Sequence, residues 1–350
     1  MSAPFKIDLR DVSTFPTRRD EAWRYSDFRR ATPGPVALAP ELTTPERGGP
    51  FTNIDGAEIV FANGRLAGGG TTLHITSFGG VQRLRFVTDA ENAGWQASVT
   101  VTVKAGADLL LLETYEGVGS AYVATAALTF VLEEGARLER IVLLDEPADA
   151  VSVSTSQVDL TPGAHFAQTV VLTGARLQRH ETHVKHPGGG ATVRMDGVYL
   201  LNGSRHSDLT TSVIHHGLNG ETSQTIKGVV TDTARGVFQG QIVVAEGADK
   251  TDARMRHDAL LLSDRAEIDA KPELEISADD VQCAHGNTIG ALNPEAIFYA
   301  RSRGIPEVDA KILLTQAFLG EAVERIAHEG AREIVAAWVE QRLEGLNRGL

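Results

Sequence analysis

The stretch Ala97-Ser98-Val99-Thr100-Val101-Thr102-Val103, followed by the turn Gly106-Ala107, is the part of the sequence that decides the fold. Valines alternate with smaller or polar residues along it, so the two kinds of residue take opposite faces of a β-strand. Similar short stretches recur from about residue 55 to residue 290, and strong helical periodicity is absent there. The long middle of the chain is therefore predicted to be β-structure.

The glycine turn repeats with a steady spacing. Gly-Ala or Gly-Glu dipeptides, each preceding a strand, recur at intervals of 29, 28, 27, 30 and 27 residues. Such a period is typical of stacked repeats, and repeats made of strands predict a coil that turns at each glycine. The alternative is a β-sandwich with accidental glycine spacing, although sandwich turns come about every 8–12 residues. The repeating glycines are Gly106, Gly135, Gly163, Gly190, Gly220 and Gly247.

We predict a mainly β fold: a right-handed parallel β-helix (solenoid) with a short N-terminal helical segment and a C-terminal helical domain. Residues 1–50 form the N-terminal helical and extended segment, in which Thr17-Arg18-Arg19-Asp20 caps a helix through residues 21–25. Residues 51–290 form the β-helix core. Residues 291–350 form the helical domain, because Asn293-Pro294-Glu295 and Pro306-Glu307 are typical helix starts and a last helix follows Gly330. Its apolar stripes either cover the open end of the solenoid or dock another protein.

Composition narrows the class of protein. A formal net charge of -13 argues against nucleic acid as a partner, because an acidic surface repels phosphate groups. Cys283 is the one cysteine, so no disulfide can form within the chain, which fits a reducing compartment. Residues 1–10 lack the pattern of a signal peptide, and no apolar segment approaches the ~20 residues that cross a bilayer. We expect a cytoplasmic protein that binds neither membrane nor nucleic acid.

Motifs of common enzymes are missing. The sequence has no Gly-x-x-x-x-Gly-Lys-Ser/Thr phosphate loop, so the chain is not expected to hydrolyse ATP. It also has no Cys-x-x-Cys and no Gly-x-Ser-x-Gly nucleophile elbow. One thiolate cannot hold an iron–sulfur cluster by itself, since clusters normally take about four thiolate-type ligands.

A histidine-rich segment, Arg179-His180-Glu181-Thr182-His183-Val184-Lys185-His186, has no obvious metal-binding geometry. On a strand, His180 and His186 share one face, whereas Glu181, His183 and Lys185 share the other. We interpret the segment as a solvated polar β face. The roles of its three histidines stay open.

A second candidate site lies near the end of the β region, at Cys283-Ala284-His285. Cys283 and His285 are two residues apart, so on a strand they project from one face, roughly 7 Å apart. Together they offer a soft thiolate and an imidazole to a metal, to sulfur or to a partner group. Simple packing of the pair is the alternative.

Several stretches between residues 223 and 305 occur in an order and spacing that is specific as a set. They are Ser223-Gln224-Thr225-Ile226-Lys227-Gly228, Gly236-Val237-Phe238-Gln239-Gly240, Lys250-Thr251-Asp252-Ala253, Leu260-Leu261-Leu262-Ser263, Lys271-Pro272-Glu273-Leu274-Glu275-Ile276, Asp280-Val281-Gln282-Cys283-Ala284-His285-Gly286 and Ile297-Phe298-Tyr299-Ala300-Arg301-Ser302-Arg303-Gly304-Ile305. This set resembles the core of the SufB/SufD family of iron–sulfur cluster assembly proteins. Residues 50–220 resemble the family only in their general β character, without specific motifs. Near the start, Arg19-Asp20-Glu21-Ala22-Trp23-Arg24-Tyr25-Ser26-Asp27-Phe28 is similar to the SufD motif, which favours SufD over SufB.

The resemblance implies a non-catalytic scaffold subunit. It implies pairing through the late strands with a SufB-like subunit, or with a second copy when the chain is isolated. It also implies that the helical domain carries SufC, an ABC-type ATPase. No cofactor is expected to be held stably by the chain alone, and a transient iron–sulfur cluster would be shared with the partner. Flavin binding and the identity of the iron and sulfur donors stay open.

By the same resemblance, His285 faces the partner's cysteine at the SufB–SufD junction. We rank His285 above Cys283 as the residue that performs assembly chemistry or binds metal there. His257 aligns with the position of that SufB cysteine, so it is expected at the interface in a secondary role, and a cluster built by two copies of this chain is not expected. The residues expected to bind SufC are Phe298, Tyr299, Arg303, Ile305, Ile312 and Leu313.

The alternative function is a β-helix enzyme acting on carbohydrate, either a polysaccharide lyase or a hydrolase. Such an enzyme needs a charged cluster along a groove, with aromatic platforms for sugars. Aromatic residues make up only 6% of this chain, and the residues capable of chemistry gather near its C-terminal end.

Overall fold

Two parallel sheets enclose one continuous core. The computed structural model describes residues 6–42 and 48–347. Odd-numbered strands form a nine-stranded sheet and even-numbered strands an eight-stranded sheet, so each strand pairs with the strand two positions along the chain. Every pairing is parallel, as in β4 with β6 and β5 with β7. The chain therefore winds as stacked coils, and the prediction of a parallel β-helix is confirmed.

The coil length agrees with the glycine period. Leu109 pairs with Leu138 in the odd sheet, and Gly94 pairs with Val123 in the even sheet. The strands are β1 (Ala57–Ala62), β2 (Thr72–Ser77), β3 (Gly80–Thr88), β4 (Gly94–Val103), β5 (Asp108–Gly117), β6 (Val123–Leu132), β7 (Arg137–Asp145), β8 (Val151–Leu160), β9 (His165–Leu172), β10 (Leu177–His186), β11 (Thr192–Leu201), β12 (His206–His215), β13 (Glu221–Val230), β14 (Arg235–Val244), β15 (Asp252–Leu261), β16 (Glu267–Ile276) and β17 (Gln282–Gly290).

The repeated glycines turn the coils, with one exception. Five of the six have positive φ, from 66° at Gly135 to 80° at Gly247, a region that other residues adopt only at a cost. Gly220 does not, and Asn219 before it takes the positive φ of 58° instead. Position 220 has no room for a side chain, because a Cβ there would lie 2.5 Å from Nδ1 of His215.

Stacked aromatic rings fill the interior of the first coils. Phe61, Phe86 and Tyr115 are in register on β1, β3 and β5. Their ring centroids are 5.1 and 4.8 Å apart along this column, and all three side chains are buried. Offset stacking adds roughly 0.5–1.5 kcal/mol per pair to the burial of the rings, so the column ties neighbouring coils together.

The N-terminal segment is less helical than predicted. Its elements are a 3-10 turn at Val12–Thr14, a second at Glu21–Trp23 and the short helix α1 (Phe28–Ala31). The predicted helix through residues 21–25 is thus only one turn. Asp20 does not cap it, because its carboxylate accepts hydrogen bonds from the backbone and hydroxyl of Thr17 instead.

This segment covers part of the outer face of the even sheet. Trp23 is buried over the guanidinium of Arg179, 4.4 Å from its ring centroid. The hydroxyl of Ser26 donates a 2.5 Å hydrogen bond to Asp208, which also pairs with Arg179. Apolar side chains complete the contact, namely Ile7, Leu9, Phe15 and Phe28 against Val123, Val151, Val153 and Leu177.

Three helices follow the last strand: α2 (Pro294–Ser302), α3 (Glu307–Val323) and α4 (Glu329–Asn347). Asn293 caps α2 through a 2.8 Å bond from the backbone of Glu295, as its sequence predicted. The buried stripes of α3 and α4 pack on outward residues of the odd sheet, including Leu143, Val198 and Val229. Helices α3 and α4 therefore lie on the flank of the solenoid, which differs from the alternative in which their stripes cover its open end.

A buried lysine fastens α3 to the sheet. Nζ of Lys227 lies 3.0 Å from Asp258 and 2.6 Å from Glu321 of α3. The same ammonium group lies 4.6 Å from the ring centroid of Phe318. Two charges and an aromatic face compensate the cost of burying this cation.

Candidate functional site

The predicted terminal strand is confirmed, and it carries both candidate residues. Strand β17 is the last strand of the odd sheet, and among the described residues it pairs with β15 alone. Cys283 is in register with Ala253, and His285 with Met255, both of which belong to the buried core. Because side chains two apart on a strand share a face, Cys283 and His285 continue the inward row of the solenoid at its open end.

The two residues differ in environment. His285 is exposed, whereas Cys283 is half-buried against the end of the core. Burial, with a smaller effect of the Asp252 carboxylate, raises the pKa of the Cys283 thiol. A thiol with a raised pKa is a poor nucleophile and metal ligand at neutral pH. The ranking of His285 above Cys283 stays a prediction.

Strand β17 also presents an unpaired backbone edge. The amide of Gln282 donates to the carbonyl of Thr251, 2.8 Å away on the β14–β15 turn. Along a parallel strand, alternate residues direct both backbone groups to the same neighbour. The N–H and C=O groups of Cys283, His285, Asn287 and Ile289 therefore point away from β15, to the side where no further strand lies among the described residues.

The neighbouring edge, on β16, lacks one of its donors. The amide of Glu267 donates to the carbonyl of Ala234, directly before β14. The odd-numbered residues of β16 therefore direct their backbone groups towards β14, and the even-numbered residues direct theirs to the free edge. Pro272 is one of them, and proline has no N–H. A proline turned to the free edge is where strands tolerate it. Of the two edges at this end, β17 has the full set of donors.

His257 lies inside the solenoid rather than at its surface. It is fully buried, and its ring stacks on Phe238 with centroids 4.9 Å apart. Its Nε2 lies 2.8 Å from the hydroxyl of Tyr199, and its Nδ1 lies 2.7 Å from Oδ1 of Asn287. Burial lowers the pKa of His257, which favours the neutral ring. In the single chain its side chain has no contact with solvent.

The histidine-rich strand β10 is not a solvated face. His180 and His186 point into the core and are fully buried, while His183 lies outside beside Glu181, as the period of two predicted. His180 contacts Ser154 at 2.7 Å, and burial holds its pKa well below the usual value. The coil interior covers His180 and His186, and Trp23 of the N-terminal segment covers Arg179 on the outer face, whereas Lys185 stays exposed.

His186 has a stacked partner, His215, with centroids 4.2 Å apart. Burial lowers the pKa of His186 to about 4 and that of His215 to about 3, so both rings are neutral at pH 7. In the described part of the chain, no group of three or more His, Cys, Asp or Glu side chains is arranged to hold a metal ion.

A second surface of interest lies on α2 and α3. Phe298, Tyr299, Val308 and Leu313, which we call the α2–α3 surface, are between 51% and 73% exposed. Arg303 lies over the ring of Tyr299, and Ile305 and Ile312 are half-buried. Clustered exposed apolar side chains of this size are typical of docking surfaces.

The structure adds residues that the sequence did not single out. Tyr199 and Asn287 flank His257, yet neither belongs to a motif. The one available signal was Asn287 sharing the strand face of His285 at a spacing of two. Tyr199 lies on β11, two strands away from His257 in the sheet, and could not be connected to it from sequence.

Comparison with known proteins decides the family. The sequence model of the SUF system FeS cluster assembly SufBD core domain matches residues 86–318. The chain belongs to the SufB/SufD family. The match starts well before the first of the quoted motifs, at Ser223. The middle of the chain therefore also carries the sequence pattern of the family, beyond a general β character.

Individual members of the SufB/SufD family agree with this assignment. The chain is 31% identical to the iron–sulfur cluster assembly protein SufD of Escherichia coli, over 94% of this chain and 90% of that one. It is 29% identical to a SufBD family protein of Synechocystis, over 66% and 53% of the two chains. Bacillus subtilis SufD is 32% identical over 42% of this chain and 34% of its own length. The likeness to SufD is the one that the N-terminal motif predicted.

Membership of this family assigns the chain to iron–sulfur cluster assembly rather than to the alternative of a carbohydrate-active enzyme. Among the described residues, none of the helices combines the length and the apolar composition that a membrane span requires.

Proposed function

We propose that this chain is a SufD-like scaffold subunit that assembles iron–sulfur clusters together with a SufB-like chain. The observation that carries the proposal is the terminal strand β17, which combines an unpaired edge with Cys283 and His285 on one face. A free edge is a ready template for another strand. Pairing there would bring the partner's groups beside the imidazole of His285.

The cluster is cargo in this account. Cys283 and His285 supply at most two ligands, and a cluster takes about four. The remaining ligands would come from the partner chain or from the sulfur that it delivers. Neutral imidazole can bind iron or move a proton near neutral pH, whereas the Cys283 thiol must first lose a proton against its raised pKa. His285 is therefore the main ligand of this half of the junction.

The energy source is a separate chain. This sequence has no phosphate loop, so we assign ATP hydrolysis to a SufC-like ABC-type ATPase and no catalytic activity to the scaffold itself. The α2–α3 surface supports docking of that ATPase, since Phe298, Tyr299 and Leu313 are exposed on helices fastened to the solenoid. A helical face of apolar anchors is a common mode of recognition.

Strand pairing at β17 can be tested by co-purification of the chain with its SufB-like partner. Ile289→Pro removes one outward N–H from the free edge, and Ile289→Ala trims the same side chain but keeps the N–H. We expect the proline variant to lose the partner on size-exclusion chromatography and the alanine variant to retain it. Equal retention by both variants would refute pairing through this edge.

A further inference from the structure

Three side chains form a hydrogen-bonded chain from the solenoid interior to the terminal strand. Tyr199 on β11 contacts Nε2 of His257 on β15, and Nδ1 of His257 contacts Asn287 on β17, at 2.8 and 2.7 Å. Tyr199 and His257 are fully buried. Asn287 is exposed and is in register with His257. The chain therefore ends on the strand that carries His285.

Gly228 makes this contact across a coil possible. It lies on β13, between β11 and β15, in register with Tyr199 on one side and Ala259 on the other. A Cβ at Gly228 would lie 1.9 Å from Cζ of Tyr199, and one at Gly236 would lie 2.7 Å from its Cε2. The ring of Tyr199 thus occupies space that is free because Gly228 and Gly236 have no side chains. Its hydroxyl reaches His257 on β15, two strands away in the sheet.

The hydrogen bonds run in one direction. An amide oxygen can only accept, so Nδ1 of His257 carries the hydrogen that Oδ1 of Asn287 receives. The neutral ring then has a lone pair on Nε2, and the hydroxyl of Tyr199 donates to it. Each atom of the ring that can form a hydrogen bond has its partner, and Phe238 fixes the plane of the ring by stacking.

Strand β17 needs such an anchor. In the part of the chain that the structure describes, it has a neighbouring strand on one side only, and most of its side chains are exposed. An outer strand with few buried contacts opens at low free energy. Asn287 is two residues from His285 and on the same face, so holding Asn287 holds the row in which His285 and Cys283 stand.

We propose that His257 is a positioning residue, which fixes the inward row of β17 through Asn287 while being fixed itself by Tyr199. This inference rests on the proposed function of His285 for its consequence in cluster assembly. The order of strand β17 can be measured in the absence of any cluster.

Two matched variants separate the bonds of His257. In His257→Asn, the side-chain amide replaces Nδ1 and can still donate to Asn287. In His257→Gln, the amide reaches the position of Nε2 and keeps only the link to Tyr199. Both variants lose the ring and its stacking on Phe238, so a general loss of packing affects them alike.

Amide hydrogen exchange of residues 282–290, measured by mass spectrometry on the full-length chain, decides between them. We expect exchange in β17 to be about tenfold faster in His257→Gln and to stay within about twofold of wild type in His257→Asn, as the loss of one partly buried hydrogen bond predicts. Exchange that is equal in the two variants, whether fast or slow, would overturn the proposal.

Cluster assembly provides the functional readout. With the partner subunits added, His257→Gln should form clusters more slowly than His257→Asn at equal complex assembly. Equal rates would overturn the role of His257 in assembly. The proposed function fails by a different observation, namely wild-type cluster formation by His285→Ala, which leaves the exchange result on β17 unaffected.

Discussion

Arg140 and Glu113 form a two-point ion pair inside the solenoid. Nε and Nη2 of Arg140 lie 2.8 and 2.9 Å from the two carboxylate oxygens of Glu113, and both side chains are fully buried. Nη1 of Arg140 donates to Ser156 at 2.9 Å and to Gln168 at 2.7 Å. Geometry of this quality is what makes a buried charge pair tolerable in an apolar core.

Removing one member of this pair should destabilise the fold strongly. Arg140→Met leaves the Glu113 carboxylate without its cation, so the free energy of unfolding should fall by about 3–5 kcal/mol in urea titrations at pH 7. The double variant Arg140→Met with Glu113→Leu should recover much of that loss, because no charge stays buried. A double variant as unstable as the single one would show that packing, not charge pairing, dominates at this position.

Glu146 should make stability fall as pH rises. Burial raises its pKa to about 7, although Gln178 and Tyr122 donate hydrogen bonds to it. The folded state then holds the proton more tightly than the unfolded state, so this contribution is present below about pH 4.5 and is lost as pH rises through 7. Glu146→Gln should therefore be more stable than wild type at pH 8, by up to about 3 kcal/mol, with no gain at pH 4.5. A gain that is independent of pH would contradict this account.

Glu181 should show the opposite dependence. Burial alone would raise its pKa, but the Arg179 guanidinium and the His183 side chain lower it to about 2. The contribution to stability is then present above about pH 4.5 and is lost as pH falls towards 2. We expect Glu181→Gln to cost about 3 kcal/mol at pH 7 and progressively less in more acidic solution. Chemical unfolding at several pH values measures both profiles, and a constant cost for Glu181→Gln would disprove the assignment.

The α2–α3 surface should be dispensable for folding but required for ATPase docking. Phe298→Ala combined with Leu313→Ala removes two exposed anchors, so the melting temperature should stay within a few degrees while affinity for a SufC-like ATPase falls at least about tenfold. Phe78→Ala is a matched control, because Phe78 is 80% exposed between the first strands of the solenoid. Isothermal titration calorimetry measures the affinity. Equal affinity of the double variant and the control would rule out this docking site.

Much of the architecture could be predicted from the sequence, because a coil that turns at a residue with positive φ leaves a glycine at each repeat. The strand at Cys283 and His285 was predictable for a similar reason: a period of two assigns faces without any knowledge of the tertiary fold. The SufD-like start of the chain likewise indicated the family, although its helix proved to be one 3-10 turn.

Other features depend on contacts between distant parts of the chain. Arg179 looks like a surface residue in its own strand, but Trp23, far away in sequence, covers it. The apolar stripes of α3 and α4 indicated that something covers them but not that the flank of the odd sheet does so. The contact between Tyr199 and His257 likewise depends on the space that Gly228 leaves on the strand between them.

The central claim is that His285 acts in cluster assembly, and one variant tests it most directly. His285→Ala should be compared with wild type in a complex reconstituted with SufB-like and SufC-like subunits, with His74→Ala, an exposed strand histidine at the other end of the solenoid, as control. Cluster formation is followed by visible absorbance and complex assembly by size-exclusion chromatography. We predict that His285→Ala assembles normally and forms few clusters, while the control does both. Dissociation of the His285→Ala complex would mean that the imidazole only holds the interface, and cluster formation at the wild-type rate would mean that it has no part in the chemistry.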